Sequence, residues 1–461
     1  MHRQLPSRAR LRAQTLAALG ALLALVPPVA LLFVSIAAAD ARPLAFAEAQ
    51  RSLLDASDKL KAADANVDRR QHEARAIENL GALPDITLNA TQVYGRKDFE
   101  FGPFPIVGKL TYNYNFDGPR SSLLANWPIY TGGRITAAQK ALAAEVDVSR
   151  AERRDSGEKL ELELIQRYFG LRLATTVERL RTAQLELADR QLNRAQRFES
   201  EGQLAKVERL SAQVARDEAA RDQVKAQRDR EIAEAALSRM LREGGPIQPT
   251  TPLFVLTTAL APLAQWVDEA DAASPALAGL HAKAVAVDQG IDAAQSSFLP
   301  DVFAFGQYNM ITSHLTPIEP NWVFGIGVNF KLYSSEDRSS KVSAARSLKQ
   351  EIDAVEAEAR NQVRTGVEAA WLRVAQTREQ FKLYDSSLDL ARENLRLRER
   401  GFEAGQATTL DINDARNSLL RVETGRAQAA YEFVLALATL LEVSGQMGRF
   451  GEFVQRADVT L

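Results

Sequence analysis

The residues of this chain that could do chemistry form no catalytic or metal-binding pattern. His72 and Glu73 begin like a zinc-binding helix motif, but position 76 is alanine, so the second histidine of that motif is missing. Segment 102–109 has glycines and a lysine near phosphate-loop spacing, but it is one residue too long and neither serine nor threonine follows Lys109. The sequence therefore predicts no catalytic residue, no cofactor and no metal site, and it gives the histidines surface or packing roles.

Composition excludes further classes of protein. The 461 residues carry a net charge of −2, which provides no overall field that would attract nucleic acid. The absence of cysteine excludes disulfides, thiolate metal sites, a cysteine nucleophile and a lipidated N-terminal cysteine. No proline lies between Pro128 and Pro246 or after Pro320, and these stretches are rich in alanine, glutamate, arginine, glutamine and leucine. Such stretches predict long helices.

The first 39 residues are predicted to be a secretory signal peptide. Four early arginines precede an apolar stretch that ends in three alanines, the usual order of basic region, apolar region and small-residue cleavage site. An uncleaved inner-membrane anchor is the alternative because the apolar part is long, although Pro27 and Pro28 would disturb a spanning helix. No later segment has the roughly 18 uninterrupted apolar residues of a membrane helix, so entry into a membrane would require a β-barrel.

The rest of the chain contains one structural plan twice. A Leu-Pro-Asp triplet at 83–85 and again at 299–301 precedes two strand patterns, a very long helical pattern, a glycine-containing turn and a return helix. The predicted segments are repeat 1 at 40–243 with its helical hairpin at 132–243, a linker at 244–273, repeat 2 at 274–443 with its helical hairpin at 336–443, and an irregular C-terminal tail at 444–461.

Alternation of apolar and polar residues predicts two strands in each repeat. They lie at about 84–95, 120–130, 300–311 and 321–333. Strands of about ten residues cross an outer membrane when tilted, but four strands cannot close a barrel and open edges are not tolerated in lipid. Several chains must therefore pool their strands if these are transmembrane; the alternative is two soluble β-hairpins packed on helices. The intervening segment 96–119, rich in glycine, proline and aromatic residues, is predicted to be a long loop, with a strand extension around Lys109–Phe116 as the alternative.

The helical patterns predict the fold class. Helices of about 70 residues would extend near 100 Å at ~1.5 Å per residue and cannot form a globular core. They are expected to pack as antiparallel coiled-coil hairpins, so the fold class is mainly α with a small β part and two structural repeats.

The duplicated plan, the Leu-Pro start of each strand pair and the glycine-containing helix turns resemble the TolC-like outer-membrane efflux channels. The most specific match is an aromatic-x-x-Gly motif at 402–405, followed by hydrophobic-Asp-x-x-Asp-Ala at 410–415, with a looser copy at 202–213. The resemblance extends over about 40–444. It implies a homotrimeric α/β-barrel with twelve transmembrane β-strands in the outer membrane of a Gram-negative bacterium and twelve helices in the periplasm. Such a trimer is a passive conduit of tripartite efflux or type I secretion.

The resemblance also implies partners and site residues. An inner-membrane efflux pump or ABC transporter would supply energy, and a periplasmic adaptor protein would contact the helix tips. The implied tip residues are Phe198, Gly202, Gln203, Phe402, Gly405 and Gln406. Asp411 and Asp414 match the acidic ring at the periplasmic aperture, where carboxylates favour cations. The alternative is that Asp411 caps the return helix and that Asp414 lies in its first turn.

Two departures from the family pattern concern the aperture. Some members hold it shut with a tyrosine and an arginine near this turn, where the present chain has Phe402 and Ala407. A latch of that design is therefore not expected.

Two other classes of protein remain as alternatives. A periplasmic adaptor or secreted coiled-coil scaffold would carry one helical hairpin flanked by β-rich domains, whereas this sequence predicts two hairpins with strands before each. A secreted enzyme with a helical insertion is the third interpretation, and the search for catalytic motifs gives it no support.

Overall fold

A computed structural model describes residues 41–316 and 318–461. The predicted signal peptide at 1–39 lies outside these residues and stays a prediction. The strands are β1 (Arg42–Leu44), β2 (Asp85–Val93), β3 (Arg96–Phe104), β4 (Gly108–Asn115), β5 (Gly118–Tyr130), β6 (Ile247–Pro249), β7 (Phe254–Val255), β8 (Asp301–Asn309), β9 (Trp322–Asn329) and β10 (Val459–Thr460). The helices are α1 (Phe46–Ala56), α2 (Asp58–Ala76), α3 (Arg134–Ser200), α4 (Lys206–Leu241), α5 (Leu263–Ala273), α6 (Pro275–Gln295), α7 (Arg338–Glu403), α8 (Thr409–Val443) and α9 (Phe450–Gln455).

Helices α3 and α7 organise the fold. They contain 67 and 66 residues without a proline, so no backbone hydrogen bond along them is lost to a proline ring. Each turns back through a short connection into α4 or α8. Towards the connections, α4 packs on α3, α3 on α8, and α8 on α7. In the other half, α2 packs on α3, α3 on α6, and α6 on α7. Each half is therefore a layer of four helices, with α3 and α7 common to both.

The largest apolar core lies between these two halves. Phe46, Phe169, Phe254 and Phe450 are fully or almost fully buried there, with ring centroids 5.1–6.0 Å apart in mostly edge-to-face contacts. Beside them the buried Tyr168 hydroxyl donates a hydrogen bond to the Leu44 carbonyl at 2.6 Å. Strand β1 pairs in parallel with β6, and β10 pairs antiparallel with β7. The linker and both ends of the described chain thus contribute to one core.

The expectation of an irregular C-terminal tail at 444–461 is wrong. After a short 3₁₀ turn the segment forms α9, which buries Phe450 and Phe453, and then β10. This segment shows little periodicity in its sequence because the helix has only six residues. Apolar contact with the central core, and not local helix propensity, determines this structure.

The other large element is an antiparallel sheet with strand order β2–β5–β8–β9. Pairing of β5 with β8 joins the strands of the two repeats into one sheet, so they are not two separate hairpins. Strands β2 and β9 lie at its two edges. Among the described residues, no helix is both long enough and apolar enough to cross a membrane.

The predicted loop at 96–119 is also wrong in part. Strands β3 and β4 form a separate two-stranded hairpin, in which Phe99 pairs with Tyr112 and Phe101 with Leu110. Alternating aromatic residues indicate these strands, but Gly102, with a φ of +106°, and the adjacent prolines obscured the pattern.

Candidate functional site

The connection between α3 and α4, here called the first tip, closes with a glycine of positive φ. Gly202 has a φ of +73°, a conformation that L residues adopt only with strain. Its N–H donates to the Glu199 carbonyl at 3.0 Å, and the Gln203 N–H donates to the Phe198 carbonyl at 2.8 Å. This pair of hydrogen bonds is the Schellman motif, which satisfies two carbonyls at the helix end.

The connection between α7 and α8, the second tip, has the same geometry. Gly405 has a φ of +70°, its N–H donates to the Phe402 carbonyl at 3.0 Å, and the Gln406 N–H donates to Gly401 at 2.7 Å. Phe402 therefore occupies the position of Glu199 in the first tip, one residue further along than Phe198. Repeat 1 has one more residue between its phenylalanine and its glycine than repeat 2, and this residue lies in the last helical turn and leaves the glycine turn unchanged.

Asp411 forms a capping box at the start of α8. Its carboxylate accepts hydrogen bonds from the Thr408 N–H at 2.9 Å and the Thr408 hydroxyl at 2.8 Å, and its N–H donates to that hydroxyl oxygen at 3.2 Å. Arg398 on α7 lies 3.1 Å from the other carboxylate oxygen. These hydrogen bonds, with the arginine charge, lower the pKa of Asp411. Asp411 is therefore ionised, and its carboxylate ties α8 to α7.

Asp414 has a different environment. It lies one turn further along α8, is exposed, and makes no hydrogen bond or ion pair within the described part of the chain. Residues three apart on a helix share a face, so the structure places Asp411 and Asp414 together near the second tip. No hydrogen bond between described residues joins either aspartate to the first tip.

Sequence reasoning missed two residues of this site. Thr408 caps α8 and Arg398 pairs with Asp411, although neither was predicted. The Thr-x-x-Asp spacing at 408–411 is a signal for the capping box. Arg398 has no comparable signal, because its contact depends on how α7 and α8 pack side by side.

One face of the four-stranded sheet, here called the apolar sheet face, is apolar and exposed. A row across the sheet pairs Leu88 with Leu123, Leu123 with Tyr308, and Tyr308 with Trp322. The exposed fractions of these side chains are 61%, 38%, 56% and 60%. Further exposed members of this face are Ile86, Trp127, Phe324, Ile326 and Val328. The opposite face, here called the polar sheet face, carries Thr87, Asn89, Ser122, Asn126, Gln307 and Asn329, together with the apolar Leu124, Phe303, Phe305 and Val323.

The two outer helices of the tip half also expose apolar side chains. On α7, Leu383, Leu390 and Leu397 are exposed at seven-residue intervals in this half, and Leu348 and Val355 have the same spacing in the half that packs on α6; the exposed Leu372 and Tyr384 lie off this stripe. On α4 the exposed apolar residues follow three- and four-residue spacing at Val207, Leu210 and Val214, and the pattern resumes at Val224. These two stripes have the coiled-coil period, but they do not face the helices with which α4 and α7 pack, which are α3 and α8 respectively.

Comparisons with known proteins agree with this architecture. The family model described as "Outer membrane efflux protein" matches residues 49–242 and 266–446. The outer membrane efflux protein BepC of Brucella suis biovar 1 is 28% identical over 129 residues, but that match covers only 27% of each chain. Protein CyaE of Bordetella pertussis is 24% identical over 350 residues, 72% of each chain.

The outer membrane protein VceC of Vibrio cholerae has a solved structure that superposes with a TM-score of 0.70 at 16% identity. The superposition covers 87% of this chain and 96% of VceC. At that identity the similarity establishes a shared fold.

Proposed function

The chain belongs to the outer membrane efflux protein family, and from this membership we propose that it is the outer-membrane channel of a tripartite efflux or type I secretion system. In this proposal, three copies form a passive conduit from the periplasm to the exterior of a Gram-negative bacterium. The channel catalyses no reaction. An inner-membrane efflux pump or ABC transporter supplies the energy, and a periplasmic adaptor protein connects it to the channel.

The exposed apolar sheet face is the observation that carries this proposal. A soluble sheet buries its apolar face and exposes its polar one, because exposed apolar surface costs about 25 cal/mol per Å² in water. Here the apolar face is not covered by any described residue and lies on the opposite side from the asparagines and threonines. A strand with one face in lipid and the other in an aqueous channel requires this arrangement.

The open edges support assembly from several copies. Unpaired backbone groups along β2 and β9 would be costly in lipid, and pairing of β9 in one copy with β2 in the next satisfies both. A head-to-tail contact of this kind closes into a ring when the rotation between neighbouring copies is a whole fraction of a turn. With four strands and four helices per layer in each chain, three copies give the twelve-stranded barrel and twelve-helix tunnel that we propose. The stripes on α7 and α4 would meet across the same boundary between copies.

The tips complete the proposal. Phe198, Gly202 and Gln203 at the first tip, and Phe402, Gly405 and Gln406 at the second, would contact the adaptor. Asp411 and Asp414 would line the periplasmic aperture, where three chains place six carboxylates and favour cations over anions. The Arg398–Asp411 pair, which joins α7 to α8 at this level, would restrain the aperture in place of a tyrosine–arginine latch.

Extraction and conductance test the proposal. We expect the protein to require detergent, to remain a trimer in unheated SDS and by light scattering, and to give small cation-selective currents in a planar bilayer. Recovery from periplasm without detergent as a soluble monomer or dimer, with no conductance, would contradict the proposal. That outcome would favour a periplasmic adaptor or coiled-coil scaffold instead.

A further inference from the structure

The β3–β4 hairpin is amphipathic, and the outer part of its aromatic face has no partner outside the hairpin among the described residues. Phe101 and Leu110 pair across the hairpin, next to the pair Phe99 and Tyr112, and all four side chains lie on one face. Leu110, Phe101 and Tyr112 are 53–58% exposed, and Ile106 at the turn is 96% exposed. The opposite, charged face carries Asp98, Glu100, Lys109, Thr111 and Asn113, while Lys97 lies on the aromatic face with its ammonium 5.3 Å from the centre of the Phe99 ring. A two-stranded hairpin with an open apolar face is marginal in water, so this face requires a partner.

Contacts at the base of the hairpin determine which way this face points. Arg120 pairs with Thr91 across β2 and β5 and therefore lies on the polar sheet face. Its guanidinium donates to both carboxylate oxygens of Glu319 at 2.9 and 3.2 Å and to the His314 carbonyl at 2.9 Å. The connection between β8 and β9 thus lies over the polar sheet face.

At the base of the hairpin, its aromatic face lies on the side of the polar sheet face. The Phe116 ring stacks on the Arg120 guanidinium at 5.3 Å, and the Tyr114 hydroxyl donates to the Leu315 carbonyl at 2.7 Å. Tyr114 and Phe116 continue the alternation of Leu110 and Tyr112, because every second residue of a strand points to the same face. The aromatic face of the hairpin is therefore turned towards the side of the polar sheet face, away from the apolar sheet face.

We propose that the aromatic faces of three β3–β4 hairpins pack against one another across the outer mouth of the channel. This inference rests on the proposed trimer, and the partner of each hairpin is another copy of this chain. Lipid is the less suitable partner, because it would contact the side on which the hairpin carries Asp98, Glu100 and Lys109. The charged face would remain in water on the outside.

The dimensions permit this contact. Twelve strands ~4.8 Å apart and tilted by ~40° enclose a barrel with a radius of about 12 Å. A strand of eight residues such as β4 extends about 26 Å at ~3.3 Å per residue, which exceeds that radius. Hairpins that lean inward from the rim can therefore meet at the axis.

Cross-linking tests the proposal, and the chain has no native cysteine to interfere. Ile106→Cys in the detergent-extracted trimer should be joined into covalent dimers by a short bis-maleimide, seen on a heated denaturing gel. Thr111→Cys, exposed on the charged face, is the matched control and should remain monomeric. An SDS-resistant trimer whose Ile106→Cys chains do not cross-link would overturn the inference and leave the channel proposal intact. Absence of any trimer would overturn both.

A second measurement uses reagent access from outside the cell. Asn126→Cys lies on the polar sheet face, beneath the proposed contact, and should react with a small maleimide on intact cells. A large polyethylene-glycol maleimide should react several-fold more slowly until Phe101, Leu110 and Tyr112 are all replaced by serine. Equal rates of the large reagent before and after these replacements would show that the hairpins do not cover the mouth.

Discussion

At the residue scale, the two aspartates near the second tip have separable roles. Asp411 completes the capping box with Thr408 and pairs with Arg398, whereas Asp414 is exposed and makes no such contact within the described residues. Variants of the two residues can therefore separate an effect on stability from an effect on ion selectivity. The alternative role, in which both residues only favour the start of a helix, applies directly to Asp411 and much less to Asp414.

Replacing Asp414 by asparagine should weaken cation selectivity without lowering the thermal stability of the trimer. Asp411→Asn should weaken selectivity and also destabilise the tip by about 1 kcal/mol, because the capping box is lost. Thr408→Ala is the matched control: it removes the cap but keeps both carboxylates, so it should lower stability alone. Reversal potentials in a planar bilayer and thermal unfolding give the two readouts. Unchanged selectivity of Asp414→Asn in a conducting trimer would contradict the aperture assignment.

Two glutamates on α3 should make stability depend on pH. Burial raises the pKa of both Glu158 and Glu161 to about 7, against an ordinary value of 4.5. Between these values the folded chain binds more protons than the unfolded chain, so the free energy of unfolding falls as pH rises from about 4.5 to 7. We expect a lower melting temperature at pH 8 than at pH 5.5. Glu158→Gln should remove part of this difference and Glu161→Gln a further part; an unchanged difference in the double variant would refute the assignment.

At the element scale, the sequence predicted those features that arise from local backbone chemistry. The absence of proline indicated α3 and α7, and Gly202 and Gly405 indicated the tips, where positive φ is required. Alternation indicated the apolar sheet face. The β5–β8 pairing, the Arg398–Asp411 contact and the packing of Phe450 could not be predicted, because each depends on how two separate elements pack together and leaves no periodic pattern.

The C-terminal segment provides a prediction at this scale. Phe450 on α9 is fully buried against Phe46, Phe169 and Phe254, so Phe450→Ala should leave a cavity in the central core. We expect a loss of about 3–5 kcal/mol, measured as a lower melting temperature by circular dichroism. Glu452→Ala, an exposed change on the same helix, should stay within about 0.5 kcal/mol of the parent. Equal effects of the two changes would mean that the segment is not part of the core.

At the scale of the whole molecule, a single chain leaves three kinds of surface unsatisfied. The edges β2 and β9 lack backbone partners within the described sheet, no described residue covers the apolar sheet face, and the stripes on α4 and α7 are exposed. In the proposed trimer, lipid would cover the sheet face, and neighbouring copies would cover both the strand edges and the helix stripes. These surfaces together favour assembly more strongly than any one of them does.

The α7 stripe can be tested without touching the sheet. Leu383 and Leu390 are 69% and 73% exposed in the single chain, and burying each leucine between copies would contribute about 1.5–3 kcal/mol. Leu383→Glu with Leu390→Glu should therefore convert the SDS-resistant trimer to monomer while the helical circular dichroism signal is kept. Lys382→Ala with Asp389→Ala, the preceding exposed positions on the same helix, should leave the trimer intact, because exposed charges contribute little. If the glutamate variant remains trimeric, the stripe does not contact α4 of a neighbouring copy, and the strand edges alone must hold the assembly together.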